Sequence, residues 1–135
     1  MSYLVDTNVL LRSVQESHPM HSDAANSIAL LLRQREQVSI IPQNLVEYWC
    51  VTTRPETVRR IEAFKKALVL LPDNDLIFGE WERLVFKHQV LGKQVYDARL
   101  VAAMNVHRVT HLLTFNTDDF ERYDGITVIS PSSVE

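Results

Sequence analysis

Short apolar runs typical of buried strands alternate with helical segments along the chain, and this alternation constrains its fold more than any other feature. Runs rich in β-type residues at 2–6, 38–41, 110–115 and 126–129 predict four strands. Strands separated by helices pair in parallel through right-handed crossovers. We therefore expect an α/β fold, with a single domain over residues 1–135 and a central parallel sheet of about four to five strands flanked by helices.

Apolar residues that recur at spacings of three and four predict the helices between these strands. The longer helical segments cover residues 19–35, 43–53, 55–68, 75–88 and 97–104. A short helix at 9–11 and a single helical turn at 118–122 complete the pattern, and Gly92 marks a break. The order of the strands within the sheet does not follow from this pattern.

Acidic residues stand at four separate places where these strands end or the helices begin. Asp6 and the pair at 118–119 follow strand-like runs, whereas Glu47 and Asp97 lie in the first turns of helical segments. In a parallel sheet, the carboxyl ends of the strands and the starts of the returning helices share one edge, and ligands bind there. We therefore expect these carboxylates to converge at that edge.

Each acidic residue taken alone also has an ordinary structural explanation. Asp6 and Asp97 suit helix capping, Glu47 has the capping-box spacing from Asn44, and the pair at 118–119 suits a turn. Together, however, several carboxylates in one cleft repel each other and lose hydration. A cation that they share would offset both costs.

Carboxylates without a Cys or His cluster beside them are hard oxygen ligands that suit Mg²⁺ or Mn²⁺. Two such ions can orient a water and stabilise the leaving oxygen when a phosphodiester is hydrolysed. Neighbouring polar side chains would act as hydrogen-bond partners or weak ligands: Thr7, Asn8, Thr114 and Asn116. Three basic side chains would contact RNA phosphates if they face the cleft: Arg12, Lys93 and Arg99.

Composition narrows the class of protein further. A net charge of −3 is not the footprint of a broad, non-specific nucleic-acid binder. The single cysteine, Cys50, excludes an internal disulfide framework and fits a reducing cytoplasm; its place on an apolar helical stripe predicts a buried core thiol. Three scattered glycines exclude a phosphate-binding P-loop. No apolar run reaches the ~18 residues of a membrane span, so we expect no membrane partner.

Four segments carry a resemblance to a known family. In chain order they are LVDTNVLL, NLVEYWCVTTRP, GKQVYDARLVAAM and THLLTFNTDDF, the last followed by ITVISP. A chain with these segments, from about Leu4 to Pro131, resembles a PIN domain, and within that group a VapC-type ribonuclease toxin of a type II toxin–antitoxin module. The resemblance implies an endoribonuclease that hydrolyses RNA with Mg²⁺ or Mn²⁺.

The resemblance also implies roles for individual residues. Asp6, Glu47 and Asp97 match the three main acidic positions of the family, as catalytic residues and metal ligands. At the fourth position Asn116 stands where many relatives have an acid, and Asp119 before Phe120 fits another common pattern.

We expect Asp119 to complete the catalytic set and Asn116 with Asp118 to support a second metal ion. Tyr96 stands where relatives often have His.

The partners that the resemblance implies are an RNA substrate, a cognate antitoxin that masks the cleft, and a second copy of the chain in a homodimer. The amphipathic segment 56–88 is compatible with such interfaces. Two alternatives remain open at this point. One is a PIN-like module that binds without catalysis. The other is a Mg²⁺-dependent phosphoaspartate phosphatase or receiver-type protein built on Asp6, although Asn8 stands where such a phosphatase needs an acid.

Overall fold

The computed structural model describes residues 1–52 and 54–135 and contains one sheet of five parallel strands. In chain order the strands are β1 (Ser2–Val5), β2 (Gln37–Ile40), β3 (Val69–Leu70), β4 (His111–Leu113) and β5 (Thr127–Ile129). Their order in the sheet is β3-β2-β1-β4-β5, with every neighbouring pair parallel. The predicted α/β fold with a central parallel sheet is confirmed.

Six α-helices flank the sheet in the described part of the chain. They are α1 (Thr7–Ser13), α2 (His21–Arg33), α3 (Pro42–Val51), α4 (Thr57–Ala67), α5 (Ile77–His88) and α6 (Gln94–His107). Two 3₁₀ turns follow, at Thr117–Phe120 and Pro131–Ser133. No helix in these described residues is long and apolar enough to span a membrane.

Two hydrophobic clusters cover the two faces of the sheet, because neighbouring residues on a strand point to opposite faces. Leu4 and Leu112, which are register partners, pack with residues of α5 and α6 on one face. Val5 and Leu113, the next pair in register, pack on the other face with residues of α1 to α4. The central strand β1 is therefore buried on both sides, which explains its continuous apolar sequence.

Some sequence-based expectations about the elements were wrong. Strand β3 was not predicted, since it has only two residues, Val69 and Leu70, and both are exposed at the sheet edge. Cys50 was expected in the core but is exposed. Helix α3 buries Asn44 and Tyr48 instead, and a residue two positions after Tyr48 lies on a different side of the helix.

The strand order places a topological switch point between β1 and β4. From β1 the chain builds the sheet outwards through β2 to β3 on one side, and then through β4 to β5 on the other. In open α/β sheets, ligands bind in the crevice outside the carboxyl ends of the strands at such a point. The residues that follow β1 and β4 are Asp6 and Thr114.

Candidate active site at the carboxyl edge of the sheet

Asp6 lies directly at the switch point and is held there by both its backbone and its side chain. Its amide nitrogen donates to the Leu113 carbonyl at 2.9 Å. Its Oδ1 accepts from the Thr7 amide at 2.8 Å, which caps α1, and its Oδ2 accepts from the Thr114 hydroxyl at 2.8 Å. The residue is only 8% exposed. Each carboxylate oxygen has two acceptor sites, so capping leaves both oxygens able to bind a further group.

Glu47 reaches the same edge from the second turn of α3. Its Oε1 accepts from the Thr7 hydroxyl at 2.7 Å, and its Oε2 accepts from the side-chain amide of Gln43 at 3.3 Å. The capping-box role considered for Glu47 is wrong, because the Asn44 side chain makes that contact, accepting from the Ile41 amide at 2.8 Å. Glu47 therefore lies beyond the cap, beside the end of β1.

Asn44 joins α3 to the end of β1 and is completely buried. Its side-chain amide donates to the Val5 carbonyl at 3.1 Å and to the Thr7 hydroxyl at 3.1 Å. The Thr7 hydroxyl therefore accepts from Asn44 and donates to Glu47. Sequence reasoning treated Asn44 only as a capping partner of Glu47. Its buried contacts orient Thr7, and through Thr7 they orient the Glu47 carboxylate.

The charges of four carboxylates act on one another at this edge of the sheet. Burial raises the pKa of Asp6 to about 6 against the effect of its hydrogen bonds, and the charges of Glu47 and Asp119 add to that rise. Burial also raises the pKa of Asp97, in the first turn of α6, to about 7, and the charges of Asp6, Asp119 and Glu47 contribute. The four residues predicted to form the catalytic set therefore lie within electrostatic range of one another; their catalytic role stays a prediction.

The 3₁₀ turn after β4 supplies Asp119 and positions its neighbours. The Asn116 backbone amide donates to the Thr114 hydroxyl at 3.0 Å, and the Asp119 backbone amide donates to the Asn116 backbone carbonyl at 3.1 Å. Asp119 is half-buried, whereas Asn116 and Asp118 are exposed. Of the two adjacent acids, Asp119 is the one whose charge reaches Asp6 and Asp97.

Asn8 contributes a buried polar atom without a partner. Its amide nitrogen lies 3.5 Å from the Thr114 hydroxyl, while its Oδ1 is buried and accepts no hydrogen bond from any described residue. A buried acceptor left unpaired costs about 1–3 kcal/mol. A water or a cation next to Oδ1 would remove that cost.

The donor set fits a hard divalent cation, since it consists of carboxylate and amide oxygens. The carboxylates do not form a closed coordination shell, however. Within residues 1–52 and 54–135, no group of three or more Asp, Glu, His or Cys side chains is arranged to hold a metal ion. The acids therefore form an open cluster in which their charges act on one another. Asn8 adds an unpaired oxygen beside this cluster.

Two of the three basic residues predicted to contact RNA have other partners. The Arg12 guanidinium, near the end of α1, donates to Gln15 at 2.7 Å. Arg99 pairs with Asp73 at 3.3 Å and donates to Gln43 at 3.2 Å.

The third predicted residue, Lys93, is exposed at the N-terminal end of α6. Lys93 is therefore the one of the three without a hydrogen bond to a described side chain.

Sequence reasoning missed two residues of the site. Gln43 contacts Glu47 and also donates to the Tyr96 carbonyl at 2.9 Å, so it joins α3 to α6. Arg122 follows the 3₁₀ turn, and its positive charge acts on Asp97 against the neighbouring acids. Its position three residues after Asp119 was the one signal in the sequence that placed it near the site.

A cavity of about 990 Å³ lies away from these acids, between the ends of α1 and α3 and the start of α4. Its lining includes Leu11, Val14, Tyr48 and Arg60, and none of the four clustered carboxylates. Because the carboxyl edge of the sheet carries the grouped titratable residues, that edge is the better candidate site.

Comparison with known proteins identifies the family. The PIN domain model matches residues 3–126, so the chain belongs to the PIN domain family. No curated protein matches it in sequence.

Among solved structures, it is similar to VapBC2 from Rickettsia felis bound to a promoter DNA fragment (TM-score 0.76, 15% identity, 96% of this chain and 98% of that chain). It is also similar to a toxin–antitoxin complex from Klebsiella pneumoniae (TM-score 0.71, 21% identity, 96% of this chain and 97% of that chain).

A third similar structure is the sarcin–ricin loop cleaving toxin VapC20 from Mycobacterium tuberculosis (TM-score 0.67, 18% identity, 87% of this chain and 92% of that chain). At these identities the three structures show a common fold. That fold, together with the family, argues against the receiver-type alternative. Receiver domains have the strand order 2-1-3-4-5, whereas the order here is 3-2-1-4-5.

Proposed function

We propose that this chain is a metal-dependent endoribonuclease, the VapC-type toxin of a type II toxin–antitoxin pair. The observation that carries the proposal is the placement of Asp6, Glu47, Asp97 and Asp119 near the switch point, where burial, and after it the charges of the neighbouring acids, raise the pKa values of Asp6 and Asp97. Membership of the PIN domain family supports it. So do fold relatives that are toxin–antitoxin complexes or, in one case, a toxin that cleaves the sarcin–ricin loop.

In the proposed site, Asp6, Glu47 and Asp97 would hold one Mg²⁺ or Mn²⁺ ion. Asp119, with Asn116 and Asp118, would support a second ion or position the attacking water. A bound divalent cation would polarise the phosphodiester and lower the pKa of a water molecule. The expected products carry a 5′-phosphate and a 3′-hydroxyl.

The remaining residues of the site orient these carboxylates. Thr114 fixes one oxygen of Asp6, and Thr7 fixes one oxygen of Glu47. Asn8 offers its unpaired oxygen beside Thr114. Such outer hydrogen bonds set the direction and basicity of metal ligands. Thr7, Asn8 and Thr114 therefore have positioning roles in the proposal.

Cleavage of RNA by the purified protein tests the nuclease assignment. Wild-type protein with Mn²⁺ should cut RNA, chelation should stop the reaction, and Asp6→Asn should abolish it. Asp75→Asn is a matched control, because Asp75 is an exposed acid outside the site. If Asp6→Asn cuts RNA at the wild-type rate, the assignment is wrong.

Calorimetry with Mn²⁺ separates the nuclease from a PIN-like module that only binds. The nuclease should bind Mn²⁺ with measurable heat, and Asp97→Ala should remove most of that heat. A binding module would give little heat and no dependence on Asp97. Growth arrest on expression, relieved by Asp97→Ala, would add the evidence that the protein acts as a toxin in the cytoplasm.

We further propose two protein partners, a cognate antitoxin and a second copy of the chain. Exposed apolar side chains on the helices support this part of the proposal. On α5, Phe78 is 64% and Phe86 is 88% exposed, and on α3, beside Glu47, Val46 is 68% and Trp49 is 52% exposed. Exposed apolar patches on folded domains commonly mark protein contacts. Co-purification with the product of an adjacent short reading frame would test the antitoxin.

A further inference from the structure

Arg122 is a basic residue near the acidic site, on a backbone segment that is anchored in the core on both sides. It lies two residues after the Thr117–Phe120 turn, between Phe120 and Tyr123, which are 1% and 4% exposed and belong to the core. The Tyr123 amide also donates to the Phe120 carbonyl at 3.2 Å. The backbone that carries Arg122 is therefore anchored, while its side chain is exposed.

A hydrogen bond directs the Arg122 guanidinium towards the start of α6. Its Nη2 donates to Gln94 Oε1 at 2.8 Å, and Gln94 is the first residue of α6. Asp97 follows three positions later, and residues three apart lie on the same side of a helix. Arg122 is therefore held one helical turn from Asp97, in agreement with the effect of its charge on that carboxylate.

Arg122 is close to the acids without being neutralised by one of them. Among the described residues, no carboxylate lies within ion-pair distance of its guanidinium. A guanidinium has five N–H donors in a planar fork, and Gln94 takes one of them. By contrast, Arg99 is paired with Asp73. Arg122 therefore keeps donors that can bind an oxyanion.

An RNA strand that approaches this site meets a local electrostatic barrier. The chain has a net charge of −3 and four carboxylates gather at the edge of the sheet. A fixed positive group at the rim lowers that barrier for a phosphate and fixes the position of the backbone. Arginine is suited to this contact, because its fork can donate two parallel hydrogen bonds to one phosphate.

We propose that Arg122, oriented by Gln94, binds a backbone phosphate of the RNA substrate next to the acidic site. The inference rests on the proposed nuclease function and adds to it a substrate-binding residue. It also assigns the side of the site along which the strand runs, from the acidic cluster past the start of α6. Lys93, exposed beside Gln94, lies on the same side.

The test compares Arg122→Gln with Arg33→Gln, which makes the same change of charge at an exposed position on the last turn of α2. Helix α2 leads into the start of β2, so Arg33 lies towards the opposite edge of the sheet. The measurements are KM and kcat for cleavage of a short, fluorescein-labelled, single-stranded RNA of mixed sequence with Mn²⁺. Both are repeated over a range of salt concentrations.

Arg122→Gln should raise KM about three- to tenfold with little change in kcat, since one phosphate contact is lost. The slope of log(1/KM) against log salt should become shallower by about 0.7, the value for one phosphate contact on a single strand. Arg122→Lys should keep the wild-type salt slope, because it keeps the charge. Arg33→Gln should match the wild type in both quantities.

Gln94→Ala tests the orienting hydrogen bond separately and leaves the charge of Arg122 in place. It should raise KM less than Arg122→Gln does and leave the salt slope unchanged. It also keeps the inference testable if Arg122→Gln fails to fold, as judged by circular dichroism. An unchanged KM in Gln94→Ala would overturn the orienting role.

Three results would overturn the inference, and they differ in what else they refute. If the wild type cleaves RNA and Arg122→Gln has the KM and salt slope of Arg33→Gln, only the role of Arg122 is wrong. If Arg122→Gln weakens Mn²⁺ binding in calorimetry along with RNA binding, Arg122 acts through the acidic site and not on the substrate. If the wild type does not cleave RNA at all, the proposed function fails as well.

Discussion

Replacing Asp6 with Asn should make the metal-free protein more stable at neutral pH. Burial and the neighbouring acids make the ionised Asp6 carboxylate unfavourable in the folded protein, so its pKa is raised to about 6. Asn removes the charge and keeps the shape. Its side-chain oxygen can accept from the Thr7 backbone amide, as an N-cap should, whereas the Thr114 hydroxyl loses the carboxylate oxygen to which it donates. The variant therefore loses the unfavourable charge without losing the cap.

The size of the effect follows from the pKa. The value rises from an ordinary 3.8 to about 6. At about 1.4 kcal/mol for each pH unit, ionised Asp6 lowers the free energy of unfolding by about 3 kcal/mol. For a chain of this length, about 3 °C in Tm corresponds to 1 kcal/mol, so Asp6→Asn should raise Tm by about 8–10 °C. This is an upper figure, because the Thr114 hydroxyl loses its acceptor and the buried Asn amide must also leave water.

The pH dependence has a definite sign. A folded-state pKa above the unfolded value means that the folded protein holds the proton more tightly. The stability that comes from this proton is fully present below about pH 4, and it is lost as the pH rises through about 6. The difference in Tm between Asp6→Asn and wild type should therefore be small at about pH 4 and reach its full size above about pH 7.

Thermal unfolding followed by circular dichroism in chelator, over this range of pH, measures the effect. Asp75→Asn is the control, because Asp75 is an exposed acid outside the site, and its Tm should follow that of the wild type. Mn²⁺ should stabilise the wild type more than Asp6→Asn, since a ligand that binds only the folded state stabilises it. A variant that is no more stable than wild type at neutral pH would refute the reasoning.

Three further predictions concern other residues. Thr7→Val removes the hydroxyl that donates to Glu47 and should weaken Mn²⁺ binding about tenfold in calorimetry. Asn44→Ala leaves buried backbone groups unpaired and should cost about 2–3 kcal/mol in chemical denaturation; Asn26→Ala, at an exposed position on α2, should cost less than about 0.5 kcal/mol. Cys50 is exposed and should react with a thiol reagent in the folded protein; slow reaction limited by unfolding would contradict its position.

The parts of the fold that local patterns specify were predictable from the sequence. The run ending at Val5 has the continuous apolar sequence of a strand because it is buried on both faces, and Asp6 directly after it indicated the candidate site. Strand β3 was not predicted, because its two exposed residues, Val69 and Leu70, are too few to show a periodic pattern. The order of the strands could not be predicted either, since it depends on pairings between segments far apart in the chain.

The missed site residues have the same explanation. Gln43 and Arg122 matter through contacts with Tyr96 and Gln94, more than 25 positions away in the chain. Neither residue type is diagnostic by itself. The prediction for Cys50 was wrong for a local reason. In a short helix the apolar residues can fit more than one buried side, and in α3 the side with Tyr48 faces the core.

The parallel register of β4 on β1 has a consequence for how misfolding would show itself. Leu113 lies opposite Val5, and this alignment brings Thr114 to the Asp6 carboxylate. A shift by a single residue would turn Leu112 and Leu113 to the wrong faces and would carry Thr114 away from Asp6. The proposed site would then be disrupted together with the packing, so RNA cleavage, if the proposed function holds, would report correct strand alignment.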